Sequence, residues 1–187
     1  MKNPYIYGYL PLITIILFSL TFGLYSVTES LVLFKKIGVY AGVREFLSEI
    51  QLRVFLLIVI AAVYFMIFSA LKLIGETIHE MGMLFFSKDM DGKSLIVIRG
   101  GNVIFFFGAL VSAAGISNIY ILGGIFITTV FIYFVYIIYK ISVHVSFGAS
   151  IGVMLFEIVV WAIILTLVVY AGLKLYNGII SSLPFKS

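Results

Sequence analysis

The sequence predicts an all-α integral membrane protein, with a bundle of about five transmembrane helices and one interfacial amphipathic helix. Hydrophobic residues make up 63% of the 187 positions, charged residues make up only 11%, and the mean hydropathy is +1.24. A soluble domain carries about 25% charged residues. Because this chain lacks the polar surface to cover a water-soluble globule, we expect its solvent to be lipid.

Composition also excludes several classes of protein. The net charge is +4, and the twelve Lys and Arg residues are scattered, so no basic tract indicates a nucleic acid partner. The absence of Cys excludes disulfides, thiolate nucleophiles and Cys-based metal sites. The N-terminus has one Lys and no cleavage motif of small residues before its long apolar run, which favours a retained anchor over a signal peptide.

The first predicted span covers about residues 5–28. The chain carries no charge from Asn3 to Thr28, and about 20 apolar residues cross a bilayer. Tyr5, Tyr7 and Tyr9 are typical of an interfacial aromatic belt. A proline near this end fits the first turn of a helix, where its missing N–H has no intrahelical role.

A connector covering about residues 31–53 mixes apolar and charged side chains. From position 43 onward, apolar residues recur at helical spacing while charged residues take the opposite side, which predicts an interfacial amphipathic helix. The apolar members are Val43, Phe46, Leu47, Ile50 and Val54. A surface helix that connects two spans is one interpretation, and a helix that senses lipid or binds a partner is the other.

The second predicted span covers about residues 54–74, and its helix is expected to continue to Phe86 and protrude from the bilayer. Further along, residues 100–139 carry no charge, which is enough for two spans joined by a tight turn. The sequence from Gly115 to Asn118 is the best break between them. The third span is therefore about 97–114, the fourth about 119–139 and the fifth about 147–173.

Five spans place the two termini on opposite sides of the membrane. The Lys and Arg residues divide six against six between the sides, so their totals do not orient the chain. The third loop has no cation and the second is compact and cation-rich, which favours a cytoplasmic N-terminus. We expect a multi-pass protein of the cell membrane in this orientation.

Four ionisable residues share one helical face just after the second span. They are Lys72, Glu76, His79 and Glu80, at spacings of four, three and one residues. One interpretation is a solvated helix end, and the other is a mouth or gate that attracts cations. A zinc-protease motif would need a second His where Met83 stands, and a di-iron bundle would need a second Glu-x-x-His. We therefore predict no metal, no cofactor and no catalytic residue.

Glu157 is the one acid of the fifth span, about ten residues from its start. A carboxylate inside a membrane costs several kcal/mol unless it is neutral, paired or facing water, so it is a candidate intramembrane polar site. Trp161, one turn later, is expected on the same face, and Lys72 is a possible partner. The structural alternative is a protonated Glu157 that is hydrogen-bonded to another helix.

Small residues predict where helix backbones approach one another. Gly148 and Gly152 have the G-x-x-x-G spacing, and Gly108 with Ser112 gives the third span a small-residue face. Such patterns more often build the internal bundle than a dimer.

Three stretches of the chain carry a family resemblance. The segments "NPYIYGYLPLI", "SALKLIGETIHEMGMLFFSKDMDG" and "GLKLYN…SLPFK" resemble the YufK-like family of small membrane proteins of bacilli. The resemblance covers essentially the whole length. It implies a five-span integral membrane protein of the plasma membrane, and it supplies no activity, catalytic residue or ligand.

Two functions remain open from the sequence. The first is a non-catalytic partner or accessory subunit of a membrane complex, which binds other membrane proteins or a second copy of itself within the lipid bilayer. The alternative is a small transport or channel component that handles cations or protons through Glu157. An enzyme is not expected, because the chain lacks a convincing nucleophile–base set.

Overall fold

The computed structural model describes residues 8–87 and 99–182. Within these ranges the chain is helical and has no strand, so the predicted all-α class is confirmed. The α-helices are α1 (Leu10–Lys36), α2 (Val39–Phe46), α3 (Glu49–Phe86), α4 (Asn102–Ser112), α5 (Ile119–Ile141) and α6 (Phe147–Ser182).

Aromatic side chains from three helices form the centre of the bundle. Phe18 and Phe22 of α1 pack against Phe68 of α3 and Phe126 of α5. The Phe18 and Phe126 rings meet edge to face, with centroids 5.3 Å apart. Edge-to-face pairs add about 0.5–1.5 kcal/mol beyond the area they bury. Helix α1 is the most buried of the long helices, and it packs against α3, α4 and α5.

Hydroxyl groups join α1 to two neighbouring helices. The Thr21 and Ser112 hydroxyls lie 3.0 Å apart between α1 and α4, and the Ser26 and Tyr64 hydroxyls lie 2.9 Å apart between α1 and α3. Where lipid provides no hydrophobic force between helices, such bonds contribute about 0.6–2 kcal/mol each. They set the register of α1 against both helices.

The predicted connector is divided among three helices instead of forming one. Helix α1 continues to Lys36, Gly38 turns the chain with a left-handed φ of 78°, and α2 ends before an extended Leu47. Ser48 then begins α3 with a capping box, because its hydroxyl accepts from Gln51 N–H while the Gln51 side chain accepts from Ser48 N–H. The extended backbone interrupts the single apolar face predicted there, and Phe46 is exposed.

Four described helices are long and apolar enough to cross a membrane by length and composition, namely α1, α3, α5 and the Phe147–Gly178 part of α6. The third predicted span corresponds to a shorter element, in which 3₁₀ turns at Arg99–Gly101 and Ala113–Gly115 flank the eleven residues of α4. Residues 97 and 98 of that span, like the tyrosines at 5 and 7, lie outside the described residues. The count of five spans stays a prediction.

Helices α3 and α6 are longer than a bilayer requires. They contain 38 and 36 residues, and at about 1.5 Å per residue each exceeds the roughly 30 Å of hydrocarbon by more than 20 Å. The second half of α3 lies against the first half of α6, where Met83 packs against Val153. The candidate site lies in this contact.

Candidate functional site

Glycine lets α3 and α6 approach each other closely. A Cβ built on Gly82 of α3 would lie 3.3 Å from Cγ1 and 3.8 Å from Cα of Val153 on α6, and 3.2 Å from the Phe156 ring. A Cβ built on Gly152 of α6 would overlap the ring of Phe86. The helix backbones are therefore near enough for short side chains to meet between them.

A buried histidine–glutamate pair lies within this contact. Nδ1 of His79 on α3 is 2.5 Å from Oε1 of Glu157 on α6, and each residue is only 7% exposed. Two such atoms approach this closely only with a proton between them. His79 and Glu157 therefore share a hydrogen bond that joins two helices in a contact with little water.

The other ring nitrogen of His79 has no hydrogen-bond partner among the described residues. Nε2 is buried, with less than 1 Å² of exposed surface. A buried polar group without a partner costs about 1–3 kcal/mol. Buried polar atoms without a hydrogen-bond partner are uncommon and often belong to functional groups. The unpartnered Nε2 atom therefore distinguishes the His79–Glu157 pair from an ordinary packing contact.

The pair lies at the charged end of α3, beyond its apolar run. His79 follows Lys72 by seven residues, which is about 10 Å along a helix. On α5 the phenol of Tyr133 lies within electrostatic range of Glu157, and Lys140 lies over the Tyr136 ring, 5.7 Å from its centroid. Tyrosines and lysines of this kind are typical of the membrane–water boundary. The pair therefore lies at the same end of the bundle as these tyrosine and lysine side chains.

The four ionisable residues predicted to share one face have different surroundings. Lys72 forms a salt bridge with Glu76, with Nζ 2.5 Å from Oε1, and Glu80 is exposed. His79 instead turns inward toward Glu157. Lys72 does not reach Glu157, because Glu157 lies level with His79, which is about two helical turns beyond Lys72 on α3.

Trp161 borders the same contact. It is half-buried, and its Cζ2 atom would lie 3.6 Å from a Cβ built on Gly75 of α3. Because Gly75, His79 and Gly82 recur at helical spacing, they place one stripe of α3 against α6. Trp161 and Glu157 therefore both face α3.

The predicted packing residues occupy three kinds of position. A Cβ built on Gly108 of α4 would overlap the side chain of Thr129 on α5, and Ser112 is fully buried where it bonds to Thr21. Gly152 faces Phe86, whereas a Cβ built on Gly148 would meet no atom within 4 Å. Gly152 therefore packs against α3, while Gly148 faces open space.

No group of three or more His, Cys, Asp or Glu residues that could hold a metal ion occurs in the part of the chain that the structure describes. The chemistry available at the His79–Glu157 pair is hydrogen bonding and proton exchange, since imidazole and carboxylate both bind and release protons.

The long apolar helices and their buried packing define a multi-pass helical membrane protein. The chain belongs to the family of unknown function DUF5366, which its residues 27–184 match. It is 35% identical over 184 residues to the "Uncharacterized membrane protein YufK" of Bacillus subtilis (strain 168), a match that covers 98% of this chain and all of that protein. The resemblance seen in the sequence is thus confirmed. No solved structure matches the chain.

Proposed function

We propose that this protein is a non-catalytic subunit of a membrane complex, and that it binds another membrane protein through the second half of α6. The observation that carries the proposal is the exposure of this segment. From Ala162 to Gly178 every residue is exposed except Ile164, which is half-buried. Helix α6 thus packs on its neighbours over its first half and leaves about 17 residues free.

The free segment has the composition of a helix–helix interface in lipid. It carries no charge apart from Lys174 and is mostly apolar, and a Cβ built on Gly172 or Gly178 would meet no atom within 4 Å. Membrane helices associate by close van der Waals packing at small residues, because lipid tails provide no hydrophobic drive. The free segment therefore offers a second helix both an apolar surface and points of close approach.

A photo-crosslinking amino acid placed at Val168 tests this proposal. Val168 is 63% exposed and lies one turn before Gly172, so we expect a protein adduct on irradiation in the native membrane. The matched control is Ile58 of α3, which is 64% exposed and should give lipid adducts alone. Mass spectrometry of the adducts then distinguishes a different protein from a second copy of this chain. Lipid adducts alone at Val168 would contradict the proposal.

A second candidate function is the handling of protons or cations through Glu157. The buried His79–Glu157 pair favours it, because an ionisable residue in a membrane protein is costly and is by default a functional-site hypothesis. The Lys72–Glu76 pair, with side chains 31% and 47% exposed, places a charged group within about one turn of His79.

Vesicles that contain the purified protein and a pH-sensitive dye test this second function. We expect a proton flux that is lost in Glu157→Gln and retained in Glu80→Gln, because Glu80 is an exposed acid outside the buried pair. If the unmodified protein gives no flux under any proton or cation gradient, it does not transport these ions.

A further inference from the structure

Among the residues that the structure describes, the hydrogen bond between His79 and Glu157 joins α3 to α6 within largely apolar surroundings. Around His79 and Glu157 the packing consists of Phe85 against Phe156, with ring centroids 5.7 Å apart, and of Met83 against Val153. Apolar packing does not depend on pH. Any change in the number of bound protons therefore acts on this contact through the His79–Glu157 pair.

The pair has three protonation states. With neutral His79 donating from Nδ1 to ionised Glu157, its net charge is −1. One further proton on the ring gives an imidazolium–carboxylate pair of net charge zero. Another proton on Glu157 replaces the carboxylate by a carboxylic acid and leaves the imidazolium without a counter-charge. Burying an unpaired charge is costly, so this last state disfavours the closed contact.

Other charged groups near the pair do not supply a replacement anion at bonding distance. On α3, Lys72 holds Glu76, and Glu80 is exposed. The titratable groups on α5 that face this end of the bundle are Tyr133, Tyr136 and Lys140. The two tyrosine phenols are uncharged at acidic pH and the lysine is itself a cation, so none of the three groups neutralises an imidazolium.

We propose that the His79–Glu157 pair is a proton-binding site, and that protonation of Glu157 releases the first half of α6 from α3. Among the described residues Nε2 of His79 has no hydrogen-bond partner, so opening the contact also lets water reach this buried nitrogen. After release, α6 remains in contact with α5, because Val153 packs with Ile137 and Ile141 of that helix. The inference concerns the isolated chain and depends on neither proposed function.

Distance measurements between two spin labels test this inference. The chain has no Cys, so Leu84→Cys on α3 and Leu155→Cys on α6 give two labelling sites, 76% and 53% exposed in the native protein. In lipid nanodiscs at pH 8 we expect one narrow distance distribution. At pH 3.5, below the range in which an exposed Glu side chain ionises, we expect the population with longer distances to rise at least twofold.

The matched control is the doubly substituted His79→Asn/Glu157→Gln protein, whose two amides hydrogen-bond without titrating. Its distance distribution should be the same at pH 3.5 and pH 8. Glu80→Gln, which removes an exposed acid, should keep the pH response of the native protein. The inference is overturned if the native protein gives the same distribution at both pH values, or if the double variant responds to pH as the native protein does.

Discussion

Replacing Glu157 by leucine is expected to destabilise the folded protein by about 2–4 kcal/mol, because removing one partner of a buried pair leaves the other buried without compensation. Within residues 8–87 and 99–182, neither buried ring nitrogen of His79 would then have a hydrogen-bond partner, whereas one of them has a partner in the native protein. Unfolding with increasing sodium dodecyl sulfate, followed by the fluorescence of the one tryptophan, Trp161, measures this change at the contact itself.

Two further variants show whether the loss comes from the pair. Glu80→Leu changes an exposed acid on α3 and should alter the free energy of unfolding by no more than about 0.5 kcal/mol. The double variant His79→Leu/Glu157→Leu removes both members of the pair and leaves neither buried without the other, so it should be more stable than Glu157→Leu alone. The single variant His79→Leu is measured in the same way. If the destabilisation of the double variant equals the sum of the losses in Glu157→Leu and His79→Leu, the two residues do not interact.

Gly108→Val is expected to destabilise the contact between α4 and α5 by about 2–3 kcal/mol, because extra methyl groups in a filled contact force the surrounding structure apart. A Cβ at this position overlaps Thr129, which is 5% exposed, and the Thr129 hydroxyl donates to the Ile125 carbonyl at 2.7 Å. Since Thr is stiff at χ1, its side chain does not move aside easily.

Gly124→Val is the matched control, because it makes the same change in the neighbouring helix α5. A Cβ built on Gly124 meets no atom within 4 Å. We expect a change of no more than about 0.5 kcal/mol in the same unfolding measurement. Equal losses in the two variants would show that helix propensity, and not the packing of Gly108 against Thr129, determines the effect.

Local sequence patterns predicted most of the positions at which the helices begin and end. The apolar run after residue 53 and the polar segment after Phe86 predict a long helix, and α3 ends at Phe86. The glycine and asparagine between the third and fourth predicted spans mark the turn before α5, where the Asn118 side chain accepts from Tyr120 N–H. Caps and breaks of this kind depend on neighbouring residues, which a sequence displays directly.

Local sequence patterns did not predict that His79 is the partner of Glu157. His79 and Glu157 are 78 positions apart, and their pairing depends on the rotation and axial offset of two helices. Charge complementarity pointed to Lys72, but Lys72 lies four residues from Glu76 on its own helix and pairs there. One usable signal was the spacing of Gly75, His79 and Gly82, which places the histidine on the small-residue face of α3.

The most direct measurement of the central claim, that α6 lies against the charged end of α3, is disulfide formation between Gly82→Cys and Val153→Cys. A Cβ on Gly82 lies 3.8 Å from the Val153 Cα. Because a Cα–Cβ bond adds only about 1.5 Å, the two Cα atoms are closer than the roughly 6.8 Å that a disulfide allows. Because the native chain has no Cys, mild oxidation of this variant in membranes should give one intramolecular disulfide. Gly82→Cys paired with Leu173→Cys should give none. Failure of the first pair to form, or equal formation in both, would contradict the arrangement of the two helices.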